Sequence, residues 1–178
     1  MSRIKNKEPF TDKVLNYLGE TTSNLLDVSF RLVFDPHEII KEYGPAFSYA
    51  PKAIYSLKKS PYFKFEKNKI YVTERGRMRI IKNIIKNKKT LKLKGCWLGI
   101  IFDIPEVSRR ERNFLRSELR QAGCRELQKS VWITPFDIEK ELKTLLSLWK
   151  KDFRGDIRFL KIDKISGEEE IKKHFNIR

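Results

Sequence analysis

The sequence is poor in the residues that build most metal and nucleophile centres. It holds two cysteines and two histidines among 178 residues. Cys96 and Cys124 stand alone, in or beside expected strands, so neither a disulfide framework nor a C-x-x-C site can be read. They read as small buried hydrophobes in a reducing cytosol. His37 and His174 have no Cys or His neighbour at ligand spacing, which argues against zinc. No run of about 18 apolar residues offers a membrane span. The start, Met1-Ser2-Arg3-Ile4-Lys5, lacks the apolar stretch of a secretion signal, so a cytoplasmic location is expected. No internal repeat or low-complexity stretch is visible. Negative charge is also scarce, with 23 Asp and Glu against 39 Lys and Arg.

What is present is a core and a large positive excess. Hydrophobic residues make up 40% of the chain and charged residues 35%, with a formal net charge of +16. The length suits one large domain or two small ones. The excess implies a polyanionic partner, nucleic acid first, with an anionic membrane surface or a merely solvated basic face as the other readings. It is uneven. Residues 1–94 carry 21 basic against 9 acidic residues, and residues 95–178 carry 18 against 14. The basic run from Lys86 to Lys94 reads as the boundary between a first domain, 1–94, and a second, 95–178.

The first half reads as helices with one hairpin. Thr11 is placed to cap a helix with Val14, Leu15 and Leu18 inward, ending at Gly19. A second helix fits Ser23 to Phe34, with Leu25, Leu26, Phe30 and Val33 inward. Asp35-Pro36 opens a third, to about Tyr43. A fourth runs from Ser48 or Tyr49 to Lys59, its core face being Ala53, Ile54 and Leu57. Tyr62 to Glu66 and Lys69 to Thr73 alternate at the strand period around a Lys67-Asn68 turn. Thr73 then caps a basic helix to about Asn87, with Met78, Ile81 and Ile85 inward.

Helix, helix, two-stranded wing, helix is the order of a winged helix-turn-helix, and residues 55–59, the hairpin and residues 72–76 resemble its recognition helix, wing and exit. A helix fits the major groove, and a basic hairpin can hold phosphates beside it. The candidate nucleic-acid-binding residues are Tyr49, Lys52, Tyr55, Ser56, Lys58 and Lys59 on the helix, Lys64, Lys67 and Lys69 on the wing, and Arg75 and Arg77 beyond it. Tyr62, Phe63 and Phe65 read as wing core before base-stacking platforms.

The second half opens on an apolar strand, Gly95 to Asp103, apolar on both faces and therefore central. Its terminal carboxylate must be exposed, hydrogen-bonded or metal-bound. Ser108-Arg109-Arg110-Glu111 reads as a capping box, opening a helix that ends at Gly123. Of its arginines, Arg109, Arg110, Arg112, Arg116 and Arg120, only some can meet one ligand. Strands at Arg125–Gln128 and Ser130–Thr134, a helix from about Asp137 to Lys151, a strand at Ile157–Ile162 and a helix from Glu168 to Phe175 follow. Strand, helix, strand, strand, helix, strand is the split βαβ, ferredoxin-like order. The expected fold class is α+β, a winged helix-turn-helix followed by a ferredoxin-like (βαββαβ) domain.

Ile101-Phe102-Asp103-Ile104-Pro105-Glu106, Arg109-Arg110 and Leu127-Gln128-Lys129-Ser130-Val131-Trp132-Ile133 resemble the second domain of PaaX-type transcriptional regulators, itself similar to the small CRISPR adaptation endonuclease. The resemblance implies a homodimer that binds double-stranded DNA, with the ferredoxin-like sheets facing each other and no cofactor; its small-molecule effector is unknown. It also implies the alternative, a metal-dependent CRISPR-associated endonuclease. There Asp103 would be the catalytic residue, two copies near the dimer axis holding magnesium. Pro105-Glu106 follows the regulator pattern, and the endonuclease lacks a leading winged helix. A structural role for Asp103, capping the loop before Arg109 or pairing with an arginine across the dimer, stands beside the catalytic one. Gln128-Lys129-Ser130 reads either as a tight connection or as part of the dimer interface.

Overall fold

The computed structural model describes residues 10–21, 33–34, 50–67, 69–89, 93, 95–149 and 155–177. The chain is α+β and divides into two compact units, Met1–Ile84 and Ile85–Arg178.

The first unit contains α1 (Phe10–Thr21), β1 (Val33–Phe34), α2 (Ala50–Lys59), β2 (Phe63–Glu66) and β3 (Lys69–Val72), and most of α3 (Glu74–Lys88). Val14, Leu15 and Leu18 of α1 recur at helical spacing and are fully buried with Leu57, Phe63, Ile70 and Ile80. Three expectations change here. Phe10 is already helical and packs on this core, so the helix begins before Thr11. Gly19 lies inside α1 and does not end it. A Cβ there would meet Ile80 Cγ2 at 3.1 Å, so the glycine serves the close approach of α1 to α3. Val33 and Phe34 are strand, not helix. They pair antiparallel with Tyr71 and Ile70, giving the sheet order β1-β3-β2. Pro36 biases the preceding chain towards extended backbone, and β1 covers the otherwise open edge of β3. The rest of the second expected helix, and the third, lie outside the described residues.

The β2–β3 hairpin pairs Phe63 with Val72 through Glu66 with Lys69. Lys67 supplies the left-handed turn residue, with φ +47°. Thr73 joins hairpin to helix as expected: its Oγ1 accepts from the Gly76 amide (3.2 Å) and donates to the Pro61 carbonyl (2.8 Å). Gly76 has no room for a side chain. A Cβ would lie 2.5 Å from the Tyr62 carbonyl oxygen and 2.6 Å from Val72 Cγ1. Gly76→Ala is therefore expected to destabilise the first unit by about 1–3 kcal/mol, as a drop in the urea midpoint with unchanged m. On α3 the buried residues are Arg77, Ile80, Ile81 and Ile85; Met78, expected inward, is half-buried.

The second unit runs β4 (Trp97–Asp103), a 3₁₀ turn (Glu106–Ser108), α4 (Arg109–Gln121), β5 (Arg125–Gln128), β6 (Val131–Thr134), α5 (Glu139–Trp149), β7 (Asp156–Ile162) and α6 (Glu168–His174). Its sheet order is β5-β6-β4-β7, antiparallel throughout, with β4 central. This is the split βαβ topology. One sheet face carries Leu98, Ile100, Phe102 and Trp132, buried as are Leu115 and Leu119 of α4 and Leu142 and Leu145 of α5. The other face is partly covered by the C-terminal segment, where Trp97, Ile133 and Ile171 cluster with Ile162, Phe175 and Ile177. Farther along that face Ile101 and Leu160 stay exposed.

The expected capping box at Ser108 does not form. Ser108 makes no side-chain cap bond and is buried, and its amide donates to the Pro105 carbonyl (2.9 Å) in the 3₁₀ turn. The preceding proline fixes that turn, so backbone replaces side chain as the partner. Gly123 does end α4. It has φ +84°, and its amide and that of Cys124 return to the Arg120 and Leu119 carbonyls.

Cys124 is buried and Cys96 half-buried; both are free thiols. Burial pushes the Cys124 thiol up to about 12, with the Lys89 charge and a Thr134 hydrogen bond opposing. The folded value exceeds the unfolded one. The contribution of this thiol to stability is therefore full below about pH 8.5, the free-thiol value, and is lost as pH rises towards 12. Native protein at pH 8 is expected to leave Cys124 unmodified by a thiol reagent that titrates both cysteines after denaturation, as read by mass spectrometry.

Candidate nucleic-acid interface

The segment from Ala50 to Lys89 holds 13 lysines and arginines against two glutamates. Leu57 anchors α2 in the core, with Ile54 half-buried. That leaves Tyr55, Ser56, Lys58 and Lys59 exposed along the helix. Lys59 Nζ lies 4.5 Å from the centroid of the Tyr55 ring, and Lys58 Nζ lies 5.6 Å from that of Phe65. Each ring face attracts its ammonium and limits the reach of the flexible lysine stem. Tyr49 and the side chain of Lys52 lie outside the described residues.

On the hairpin, Lys64, Lys67 and Lys69 are exposed, while Phe63 enters the core and Tyr62 and Phe65 pack against it. The aromatic residues thus hold the hairpin onto the unit and the lysines project from it. Lys64 pairs with Glu66 at 2.5 Å, both side chains half or more exposed, an ion pair that water and salt weaken. Arg75 is exposed. Arg77, expected to hold phosphate, is only 9% exposed, at the helical spacing of the inward residues Ile80 and Ile81. A residue this buried leaves little of itself to a phosphate, so Arg77 belongs with the structural residues of the unit. Arg79, one turn along from Arg75, pairs with Asp12 of α1 at 3.3 Å.

In the second unit, Asp103 ends β4 with its side chain exposed. Its cross-strand partner on β7 is Asp156, an acid that the sequence did not bring to Asp103 because 53 positions separate them. Asp156 in turn accepts from Arg158 Nε at 2.6 Å. Among the described residues, no group of three or more His, Cys, Asp or Glu is placed to share a metal ion. Two carboxylates on one chain do not make a six-oxygen magnesium site.

The arginines of α4 are sorted by the helix. Arg112 Nη2 donates to Glu106 Oε1 at 2.5 Å, and Arg116 Nε donates to the Lys129 carbonyl at 2.9 Å. Arg120 lies over the Trp132 ring, 5.5 Å from its centroid, and reaches Glu126 at 3.4 Å. The Arg112 hydrogen bond and charge hold the Glu106 carboxyl below its usual range, with Arg109 and Arg116 adding to the effect.

Residues 90–171 match the family model described as the PaaX protein central Cas2-like domain. No curated protein and no solved structure matches the chain.

Proposed function

We propose that this chain, whose residues 90–171 match the PaaX protein central Cas2-like domain, is a DNA-binding transcriptional regulator that acts as a dimer. One observation carries the reading: an exposed set of lysines on α2 and on the hairpin that follows it, where Tyr62, Phe63 and Phe65 pack on the core and leave the lysines to project. In this reading the first unit is a winged helix. Helix α2 enters a major groove, with Tyr55 and Ser56 towards base edges and Lys58 and Lys59 towards phosphates. Lys64, Lys67 and Lys69 hold the adjoining backbone, and Arg75 adds a phosphate contact at the start of α3. The second unit dimerises through the sheet face that leaves Ile101 and Leu160 exposed, and so sets the spacing of the two half-sites. The cytoplasm is the compartment this role requires.

The test is duplex binding across salt concentration, with selection of bound sequences from a random pool. A steep fall of affinity with salt, together with an enriched two-fold symmetric motif, is the expected result. Salt-independent or absent binding would overturn the reading, and steep binding with no enriched motif would replace it with a scaffolding role on DNA. Velocity sedimentation is expected to show a dimer that Leu160→Asp weakens.

The endonuclease alternative is favoured by one observation, the Asp103–Asp156 register at the end of the sheet. The ligand set on one chain is too small to derive a hydrolytic step. Loss of magnesium-dependent cleavage in Asp103→Asn, with sedimentation unchanged, would be its signature.

A further inference from the structure

We propose that the flank of α4 bearing Arg109, Arg112, Arg116 and Arg120, with Lys129 beside it, is a second phosphodiester-backbone site for duplex DNA, restrained by Glu106. The proposal rests on the DNA-binding reading above and adds to it a surface in the second unit.

The spacing is the first observation. Steps of three, four and four residues put these four arginines on one stripe of the helix, while Arg110 falls elsewhere. The contacts agree with that placement. Arg112 bonds Glu106, whose carboxyl also feels the charges of Arg109 and Arg116. The Arg116 bond to the Lys129 carbonyl fixes the β5–β6 turn against the same flank, and the Lys129 side chain is exposed there. Leu115 and Leu119 supply the core contact of α4, so these charges are not needed to hold the helix.

Charge balance is the second observation. Five cations on this flank face two acids, Glu106 and Glu126, and both acids are exposed. Both groups of the Arg120–Glu126 pair are exposed, and in the other pair Glu106 is exposed while 19% of the Arg112 side chain stays open, so solvent weakens both and a stronger anion can replace the acid. Phosphate is such an anion for guanidinium, which meets its oxygens in a bidentate fork. The dimension selects a polymer over a small phosphate ester. From Arg109 to Arg120 the helix rises about 16 Å at 1.5 Å per residue. That is long enough to meet more than one phosphate of a strand, whose charges recur about every 3.4 Å along the duplex axis and farther apart along the winding backbone. A small ester reaches one end of the stripe, and a duplex backbone follows all of it.

Glu106 is the restraining element. It occupies Arg112 in the free protein and must yield when a phosphate arrives. Removing its charge therefore raises affinity, which few structural surface substitutions do.

The experiment uses the full chain and a 30-base-pair duplex of arbitrary sequence, with anisotropy read between 50 and 200 mM salt. Arg109→Gln with Arg116→Gln is expected to lower the magnitude of the log–log salt slope by about two, at about 0.9 per phosphate contact. Arg109→Lys with Arg116→Lys is expected to keep most of the slope, and Glu106→Gln to tighten binding several-fold. An unchanged slope in the glutamine pair, an equal loss in the lysine pair, or no gain in Glu106→Gln would overturn the inference. If Lys58→Gln with Lys67→Gln lowers the slope while the arginine pair leaves it intact, only this second site fails. If the unaltered protein does not bind the duplex, the DNA-binding reading itself fails.

Discussion

Trp132→Ala is expected to cost the second unit about 3–5 kcal/mol, a large share of the 5–15 kcal/mol that holds a typical domain together. Trp132 is 1% exposed and sits opposite Ile100 of the central strand, on the face buried by α4 and α5. Truncation removes the largest fully buried side chain of the unit and leaves a cavity that the flanking strand and helices cannot close. The indole also supports the guanidinium of Arg120 on its outer side. Trp132→Phe separates volume from polarity. The Trp132 Nε1 hydrogen has no partner among the described residues, so phenylalanine removes an unsatisfied donor along with some volume. Its expected cost is below about 1.5 kcal/mol. Urea denaturation followed by far-UV circular dichroism measures both. A cost for Trp132→Phe equal to that for Trp132→Ala would mean that the donor is satisfied and the polar account is wrong.

How much of this was readable beforehand depended on how local the signal was. The second unit was legible because each strand and helix carries its own period and punctuation. Leu98-Gly99-Ile100-Ile101-Phe102 is apolar on both faces and is the central strand. Gly123 has the positive φ that ends α4. The misreadings arose where a distant partner decides. Gly19 looks like a helix end until Ile80 of α3 is found against it. Val33 and Phe34 fit a helical period, but pairing with Tyr71 and Ile70 makes them strand. Ser108 and Glu111 have capping-box spacing, but the Pro105 turn already supplies the partner of the Ser108 amide. The site shows the same division. Exposure of Lys58, Lys64 and Lys67 follows from local alternation and could be read from sequence. Burial of Arg77 follows from its spacing to Ile80 and Ile81 once the inward face is centred on Ile80 and Ile81 and not on Met78, Ile81 and Ile85. The Asp103–Asp156 register could not, because only the pairing of β4 with β7 creates it.

Replacing Lys58, Lys64 and Lys67 together by glutamine is expected to lower the magnitude of the salt slope by about three and to weaken binding to every duplex alike. These side chains are exposed, and their removal empties no core position, so the thermal midpoint should shift by no more than a few °C, the change expected of surface substitutions. The uniformity is the diagnostic part. Phosphate contacts carry no base information, so a selected sequence and an arbitrary one should lose the same factor. Substitution of Tyr55 or Ser56 should behave the opposite way, keeping the slope while changing preference at a base pair by about 1–3 kcal/mol. Arg77→Gln completes the comparison. The residue is 9% exposed, so the expected loss is in stability, with the salt slope of the remaining folded protein unchanged. A slope that falls with Arg77→Gln and holds in the triple lysine variant would move the DNA to a different face of the first unit.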